Sequence, residues 1–187
     1  MPTLIDSYSE TNQTDDQSTG AIGHKYNGQS FTSANNIILD SCKFYLKKNN
    51  LPTGNCYAVL YACTGAYGTN SKPTGSALAI SDAVDVSTLG AAYALKTFTF
   101  SGINRVTLNA ATHYCIQFNY SGGDASNYAY IGDDMVTLSA PGNMCYLGVD
   151  GVTWLGISNA DVCFYVYGVS SSSGASKNKS SVPFLII

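Results

Sequence analysis

Short runs of aromatic and β-branched residues that alternate with other residues constrain this chain more than any other feature. In residues 112–120, one set of alternate positions holds Tyr114, Ile116, Phe118 and Tyr120. A period of two with one apolar face predicts an antiparallel strand that buries a single face. The same alternation recurs in residues 42–48 and 161–167. We therefore expect a fold built from strands of this kind.

Gly, Pro and Asn separate the runs and supply turn chemistry. The predicted strands are 29–33, 36–48, 55–63, 77–86, 94–101, 104–109, 112–120, 127–132, 143–149, 152–155 and 161–169. Pro-Thr-Gly turns at 52–54 and 73–75, and hairpin-like loops at 120–124 and 149–152, place Pro and Gly where turns favour them. Roughly ten short strands with turns every 8–12 residues predict an all-β antiparallel sandwich, jelly-roll-like, in one domain over 21–168.

The two ends of the chain differ from this body. Residues 1–20 are largely polar and predict an N-terminal arm or edge strand, and residues 169–181 form a Ser/Gly-rich linker. The chain ends on an apolar docking peptide, Val182, Pro183, Phe184, Leu185, Ile186 and Ile187. Exposed apolar residues at a free end promote aggregation, so we expect the peptide to dock. It packs either on its own sandwich or on the sheet edge of a neighbouring copy, and the long linker favours the neighbour.

Charge limits the possible partners and location. Charged residues make up only 11% of the chain and the net charge is -3, against an ordinary charged fraction of about 25%. Without a basic patch to neutralise phosphates, nucleic-acid binding is not expected. No apolar run reaches the ~20 residues of a membrane span, and no signal peptide precedes the first strands. Such a surface predicts an extracellular or virion protein, which was processed before this numbering begins, exported by another route or released by lysis.

Six cysteines are scattered over the chain with no CxxC pair, which argues against a structural zinc site. An even count permits three disulfides in 15 pairings, but each Cys lies in an apolar run and we favour mostly free, buried thiols. A bond between Cys56 and Cys63 is excluded, because roughly 23 Å of one extended strand separates them.

Catalytic motifs are missing. The chain has two histidines, His24 and His113, and one glutamate, Glu10, and it lacks a G-x-S-x-G elbow, an H-E-x-x-H motif and a Walker loop. His113 is better explained as a half-buried packing residue than as a base. We expect no enzyme and no required cofactor.

Two weaker kinds of site remain. A structural calcium ion would use carboxylate and amide oxygens, and the weak candidates are Asp124, Asn127, Asp133, Asp134 and Asp150. Turn geometry alone explains the same residues. Glycans would stack on exposed aromatic rings, and the candidates are Trp154, Tyr128, Tyr130 and Tyr146. A single Trp in a sandwich is more often a packing residue than a ligand platform.

The strand and turn segments also carry a family likeness. The matching segments are 28–31, 39–48, 52–55, 72–75, 98–102, 120–128 and 162–167. They resemble jelly-roll modules of phage virions and appendages and of environmental bacterial surface proteins, over about residues 28–168. The resemblance implies a sandwich similar in fold to carbohydrate-binding modules, and it implies no ligand residues.

Function is expected to follow from binding or assembly. The first hypothesis is a non-catalytic structural subunit of an extracellular filament, tube or virion, such as a fibre or decoration protein. Its partners would be copies of itself or another virion or surface protein, joined through sandwich interfaces and exchanged terminal segments. The alternative is a glycan- or receptor-binding module of a phage appendage or secreted protein.

Overall fold

Two antiparallel β-sheets stack as a sandwich in the computed structural model, which describes residues 1–20, 24–136 and 140–170. The fold class predicted from the alternation is confirmed. The described residues form fifteen strands rather than about ten. These are β1 Thr3–Tyr8, β2 Asp15–Thr19, β3 Tyr26–Ser33, β4 Ile37–Asn49, β5 Asn55–Thr64, β6 Lys72–Ile80, β7 Val84–Asp85, β8 Ala94–Thr99, β9 Thr107–Leu108, β10 Thr112–Asn119, β11 Tyr128–Asp134, β12 Met144–Leu147, β13 Trp154–Ile157, β14 Asp161–Val162 and β15 Phe164–Val169.

The strands divide into sheets of eight and seven. The eight-stranded sheet has the order β1-β15-β4-β11-β14, with β2 added beside β11 and with β8 and β9 beside β4. The seven-stranded sheet has the order β13-β12-β3-β10-β5-β6, with β7 beside β5. Neighbours in space are often far apart in sequence, since β1 pairs with the last strand and β2 pairs with β11.

The core lies between the sheets and is built from the alternate positions that the sequence singled out. Tyr114, Ile116, Phe118 and Tyr120 are all buried. Phe118 of the seven-stranded sheet meets Phe44 and Phe98 of the other sheet, with ring centroids 5.9 to 6.1 Å apart. Tilted aromatic contacts at this distance add about 0.5–1.5 kcal/mol per pair beyond the burial of their area. This triad therefore fixes how the two sheets face each other.

Several local predictions are wrong. Residues 73–75 lie inside strand β6 rather than in a turn, and the positive φ of Gly75 (69°) falls near a register shift against β5. The pattern was misleading because a bulge needs the same glycine conformation as a turn. The loop at 120–124 crosses from one sheet to the other and closes no hairpin. The hairpin at 149–152 does form, between β12 and β13.

The N-terminal residues belong to the sandwich. Strand β1 forms an edge of the eight-stranded sheet on β15, and β2 pairs with β11 over five residues. Of the two expectations for residues 1–20, an arm or an edge strand, β1 has the position of an edge strand, and its polar composition fits the surface that such a strand exposes. Three short 3₁₀ turns, Glu10–Asn12, Val86–Thr88 and Gly102–Asn104, complete the secondary structure of the described residues. Among residues 1–20, 24–136 and 140–170, no helix is long and apolar enough to cross a membrane.

Candidate functional site

A cleft of about 370 Å³ opens on the eight-stranded sheet where β2 lies beside β11. Its lining comes from β2, β11 and the loop that precedes β11: Asp16, Gln17, Ser18, Gly20, Asp124, Ala125, Tyr128 and Tyr130. Strand alternation explains the composition. Ala129 and Ile131 point into the core and are fully buried, so the tyrosines on either side of Ala129 are turned toward the cleft.

Two tyrosines form one wall of the cleft. The rings of Tyr128 and Tyr130 meet edge to face at 5.0 Å, and their hydroxyls are hydrogen-bonded at 2.8 Å. That bond, with some burial, raises the pKa of Tyr130 to about 12. The Tyr130 hydroxyl therefore stays protonated at neutral pH, and it can donate as well as accept a hydrogen bond. The pair is a fixed aromatic surface with polar tips.

Lys47 supports this wall from the neighbouring strand β4. Its ammonium lies 4.5 Å from the ring centroid of Tyr130 and 4.4 Å from that of Tyr93. It also forms a 3.2 Å ion pair with Asp16, whose Oδ2 accepts a second bond of 2.7 Å from the Tyr93 hydroxyl. The carboxylate of Asp16 is thus held at the cleft with its charge partly neutralised.

Asp124 supplies the second carboxylate of the cleft. Its Oδ1 accepts the backbone N–H groups of Ser126 and Asn127 at 2.8 and 2.9 Å, and the Asn127 amide donates to both of its oxygens. These bonds, the Asn127 side chain first, lower the pKa of Asp124. The residue therefore presents a charged acceptor on a preformed turn.

The other predicted aromatic residues lie elsewhere. Trp154 packs against Tyr26 and Tyr61 on the outer face of the seven-stranded sheet, with ring centroids 5.4 Å from each. Beside them runs a more apolar groove of about 390 Å³ that includes Tyr57. Tyr146 stands in a third concavity, with its ring 4.2 Å from that of His24. The four predicted glycan-binding residues therefore fall in three places, and the structure brings only Tyr128 and Tyr130 together.

The calcium candidates also separate into distinct settings. The oxygens of Asp124 and those of Asp150 accept bonds within their own turns, the latter from Val152 and Thr153, which lowers the pKa of Asp150 to about 2. Asp133 is buried on β11. Over residues 1–20, 24–136 and 140–170, no group of three or more His, Cys, Asp or Glu side chains could hold a metal ion.

Three aspartates, Asp133 and Asp134 at the end of β11 and Asp161 on β14, are buried, a feature that the sequence did not reveal. Asp134 lies opposite Asp161 of β14, and Asp133 precedes it on the strand. The Gln17 amide donates to Asp133 Oδ2 at 3.0 Å, and the Gln29 amide donates to Asp161 Oδ1 at 2.6 Å. The other oxygen of Asp133, Oδ1, is buried without a hydrogen-bond partner. Burial is the main cause that raises the pKa of Asp133 to about 6.

The histidine and the cysteines are placed as follows. His113 is exposed rather than half-buried, and its ring stacks on Tyr67 at a centroid distance of 4.0 Å. All six cysteines are free thiols, five of them buried and Cys63 partly exposed. Cys56 and Cys63 both lie on strand β5, as the exclusion of their disulfide assumed. The linker was predicted to begin at residue 169, but Val169 is the last residue of β15. Residues 171–181 of that linker and the apolar peptide 182–187 fall outside the described residues.

The cleft of Asp16, Asp124, Tyr128 and Tyr130 is therefore the site with the most varied chemistry on the described surface. It combines ring faces, hydroxyls, an amide and two carboxylates, all supplied by paired strands and a hydrogen-bonded turn.

Comparison of the chain with models of protein families, with curated proteins and with solved structures finds no match.

Proposed function

We propose that this β-sandwich is a non-catalytic carbohydrate-binding module whose ligand lies in the cleft of Tyr128 and Tyr130. The observation that carries the proposal is the meeting of an aromatic wall with two hydrogen-bonding carboxylates in one cleft. Sugars present apolar C–H faces and a ring of hydroxyls, so they need both kinds of contact. The likeness of the sequence to modules with a carbohydrate-binding type of fold supports the same choice.

The charges favour a neutral saccharide. Asp16 and Asp124 would repel a sugar carboxylate or sulfate, while their oxygens accept bonds from sugar hydroxyls. Lys47 already forms an ion pair with Asp16 and so offers little attraction to an anion. The cleft volume of about 370 Å³ lies near the lower end of ligand sites, which span about 300–1,000 Å³. A short oligosaccharide or the end of a chain is the ligand class that fits best.

A neutral-glycan array followed by calorimetry tests the proposal. Tyr128→Ala and Asp16→Ala should each weaken binding of the best array ligand about 5- to 30-fold, because a stacked ring or a charged acceptor contributes about 1–2 kcal/mol. The matched control is Tyr57→Ala, in the groove of the other sheet, which should bind like the unmodified protein. If Tyr57→Ala were the only one of the three variants to lose binding, the ligand would bind in that groove and not in the cleft. Failure of the unmodified protein to bind any glycan would refute the proposal.

Assembly is the second candidate function. Among the described strands, β6 lies at one edge of the seven-stranded sheet beside β5, and it exposes Leu78 and Ile80, each 44% accessible. Open apolar edges of this kind accept an added strand from another chain, and residues 182–187 have the composition of such a strand. A structural subunit of an extracellular filament, tube or virion would use this contact between copies.

Deletion of residues 182–187 tests the assembly role. The full chain should form larger species by size-exclusion chromatography and electron microscopy, and the truncated chain should elute as a monomer. A substitution on the accepting edge, Leu78→Lys, should have the same effect, whereas Leu51→Lys on an exposed loop should have none. If the truncated chain assembles as the full chain does, the terminal peptide is not the connecting element.

A further inference from the structure

Two thiols from adjacent strands of the seven-stranded sheet lie in direct contact. The Sγ atoms of Cys63 on β5 and Cys115 on β10 are 3.0 Å apart. Cys115 pairs with Tyr61 in the antiparallel register, so Cys63 is two positions further along β5 and on the same face of the sheet. An S–S bond of about 2.05 Å needs the sulfurs to approach by only about 1 Å more.

The surroundings give the two thiols different roles. Cys63 is the one partly exposed cysteine of the six, and Cys115 is fully buried. The hydrogen bond from Cys115 lowers the pKa of Cys63, whereas burial raises the pKa of Cys115 far above its ordinary value. Thiolates are the reactive form of cysteine. An oxidant from solvent therefore reacts first with Cys63, and the buried Cys115 thiol lies in position to react second.

We propose that Cys63 and Cys115 close to a disulfide under oxidising conditions and so join β5 to β10 covalently. With oxidised glutathione as the oxidant, the Cys63 thiolate attacks one of its sulfurs, the glutathione S–S bond breaks, and one glutathione thiolate leaves. That thiolate takes the proton of Cys115, whose sulfur then attacks Cys63 Sγ and breaks its bond to the second glutathione. The second glutathione leaves as a thiolate and takes up from solvent the proton that Cys63 released when it ionised. Two cysteine thiols lose two electrons, and one disulfide is reduced to two thiols.

The link would stabilise the seven-stranded sheet, which carries the groove that includes Tyr57. It closes a loop whose ends are 52 residues apart, and cross-links of long loops stabilise mainly by restricting the unfolded chain. For a domain of this size the melting temperature should rise by roughly 5–15 °C. The proposal is independent of the saccharide cleft, which lies on the opposite sheet.

Mass spectrometry after incubation with oxidised glutathione tests the link. The native protein should lose the mass of two hydrogens, and a non-reducing digest should yield one cross-linked peptide pair containing Cys63 and Cys115. Cys63→Ser should abolish both the mass change and the rise in melting temperature. The control is Cys56→Ala. Cys56 lies on the same strand, but its thiol donates a hydrogen bond to the Val84 carbonyl, so this variant should keep both the mass change and the rise in melting temperature.

Cys115→Ala serves as a second variant, in which Cys63 should stop at the mixed disulfide with glutathione. This product is readable on folded protein even if the variant is less stable. A native protein that keeps six free thiols, or a disulfide that maps to Cys115 and Cys145 or to any other pair, would overturn the proposal.

Discussion

Replacing Asp133 with Asn should change how the stability of this protein depends on pH. Asp133 is fully buried on β11, and its pKa is raised from an ordinary 3.8 to about 6. Burial is the main cause, and the nearby carboxylates of Asp15, Asp16 and Asp134 act in the same direction. The bond from Gln17 opposes them without reversing the shift.

The sign follows from proton binding. Between pH 4 and pH 6 the folded protein holds a proton on Asp133 that the unfolded chain has released. The free energy of unfolding must therefore decrease as pH rises through this window, and it should level off above it. At about 1.4 kcal/mol for each pKa unit, a rise of about two units amounts to about 3 kcal/mol. Asp161 and Asp6, whose pKa values are also raised by burial, add to the decrease.

Urea denaturation at intervals from pH 4 to pH 7 measures the effect. Through Asp133 the unmodified protein should lose about 2–3 kcal/mol of unfolding free energy over this range, and Asp133→Asn should lose that much less. The matched control is Asp150→Asn, because Asp150 is exposed and its pKa is lowered to about 2. The stabilisation that ionised Asp150 contributes is fully present above about pH 4 and is lost only as pH falls toward 2. Asp150→Asn should therefore leave the dependence of unfolding free energy on pH unchanged between pH 4 and pH 7. An identical slope in Asp133→Asn and the unmodified protein would refute the reasoning.

Three further predictions concern packing and the cleft. Gly28→Ala should prevent folding or lower the free energy of unfolding, measured by urea denaturation, by more than about 3 kcal/mol. The reason is that an added Cβ would lie 2.0 Å from the Ile116 carbonyl oxygen. Phe118→Ala should lower the free energy of unfolding by about 3–5 kcal/mol in the same assay, because it removes the ring that packs against Phe44 and Phe98 of the opposite sheet. Substitution of an exposed residue, Leu51→Ala, should change it by no more than about 0.5 kcal/mol. Tyr93→Phe should weaken saccharide binding severalfold in calorimetry with little change in melting temperature, because it removes the hydroxyl that holds Asp16; unchanged affinity would show that Asp16 needs no such support.

Sequence reasoning succeeded where the signal is local. Alternation identified Tyr114, Ile116 and Phe118 as one buried face, and turn chemistry found the hairpin between β12 and β13. It failed at β6, where Gly75 serves a bulge rather than a turn. Both structures need a glycine at positive φ, so the residue alone does not distinguish them.

The cleft was only half predictable. Tyr128 and Tyr130 could be named because aromatic residues cluster in the loop-rich second half of the sequence. Asp16 and Gln17 could not, because they lie in a polar segment whose pairing with β11 spans more than a hundred residues. The same holds for Cys63 and Cys115, which meet only because β5 and β10 pair in one particular register.

The sequence by itself determined that this protein is a β-sandwich, since a period of two is a property of each strand and survives without knowledge of its neighbours. Only the tertiary structure decided which strands pair, and with that which side chains meet. The cleft of Tyr128 and Tyr130, the buried aspartates of β11 and β14 and the thiol pair all depend on contacts between distant segments. Such contacts are set by how two sheets bury their apolar faces together, which no local pattern encodes.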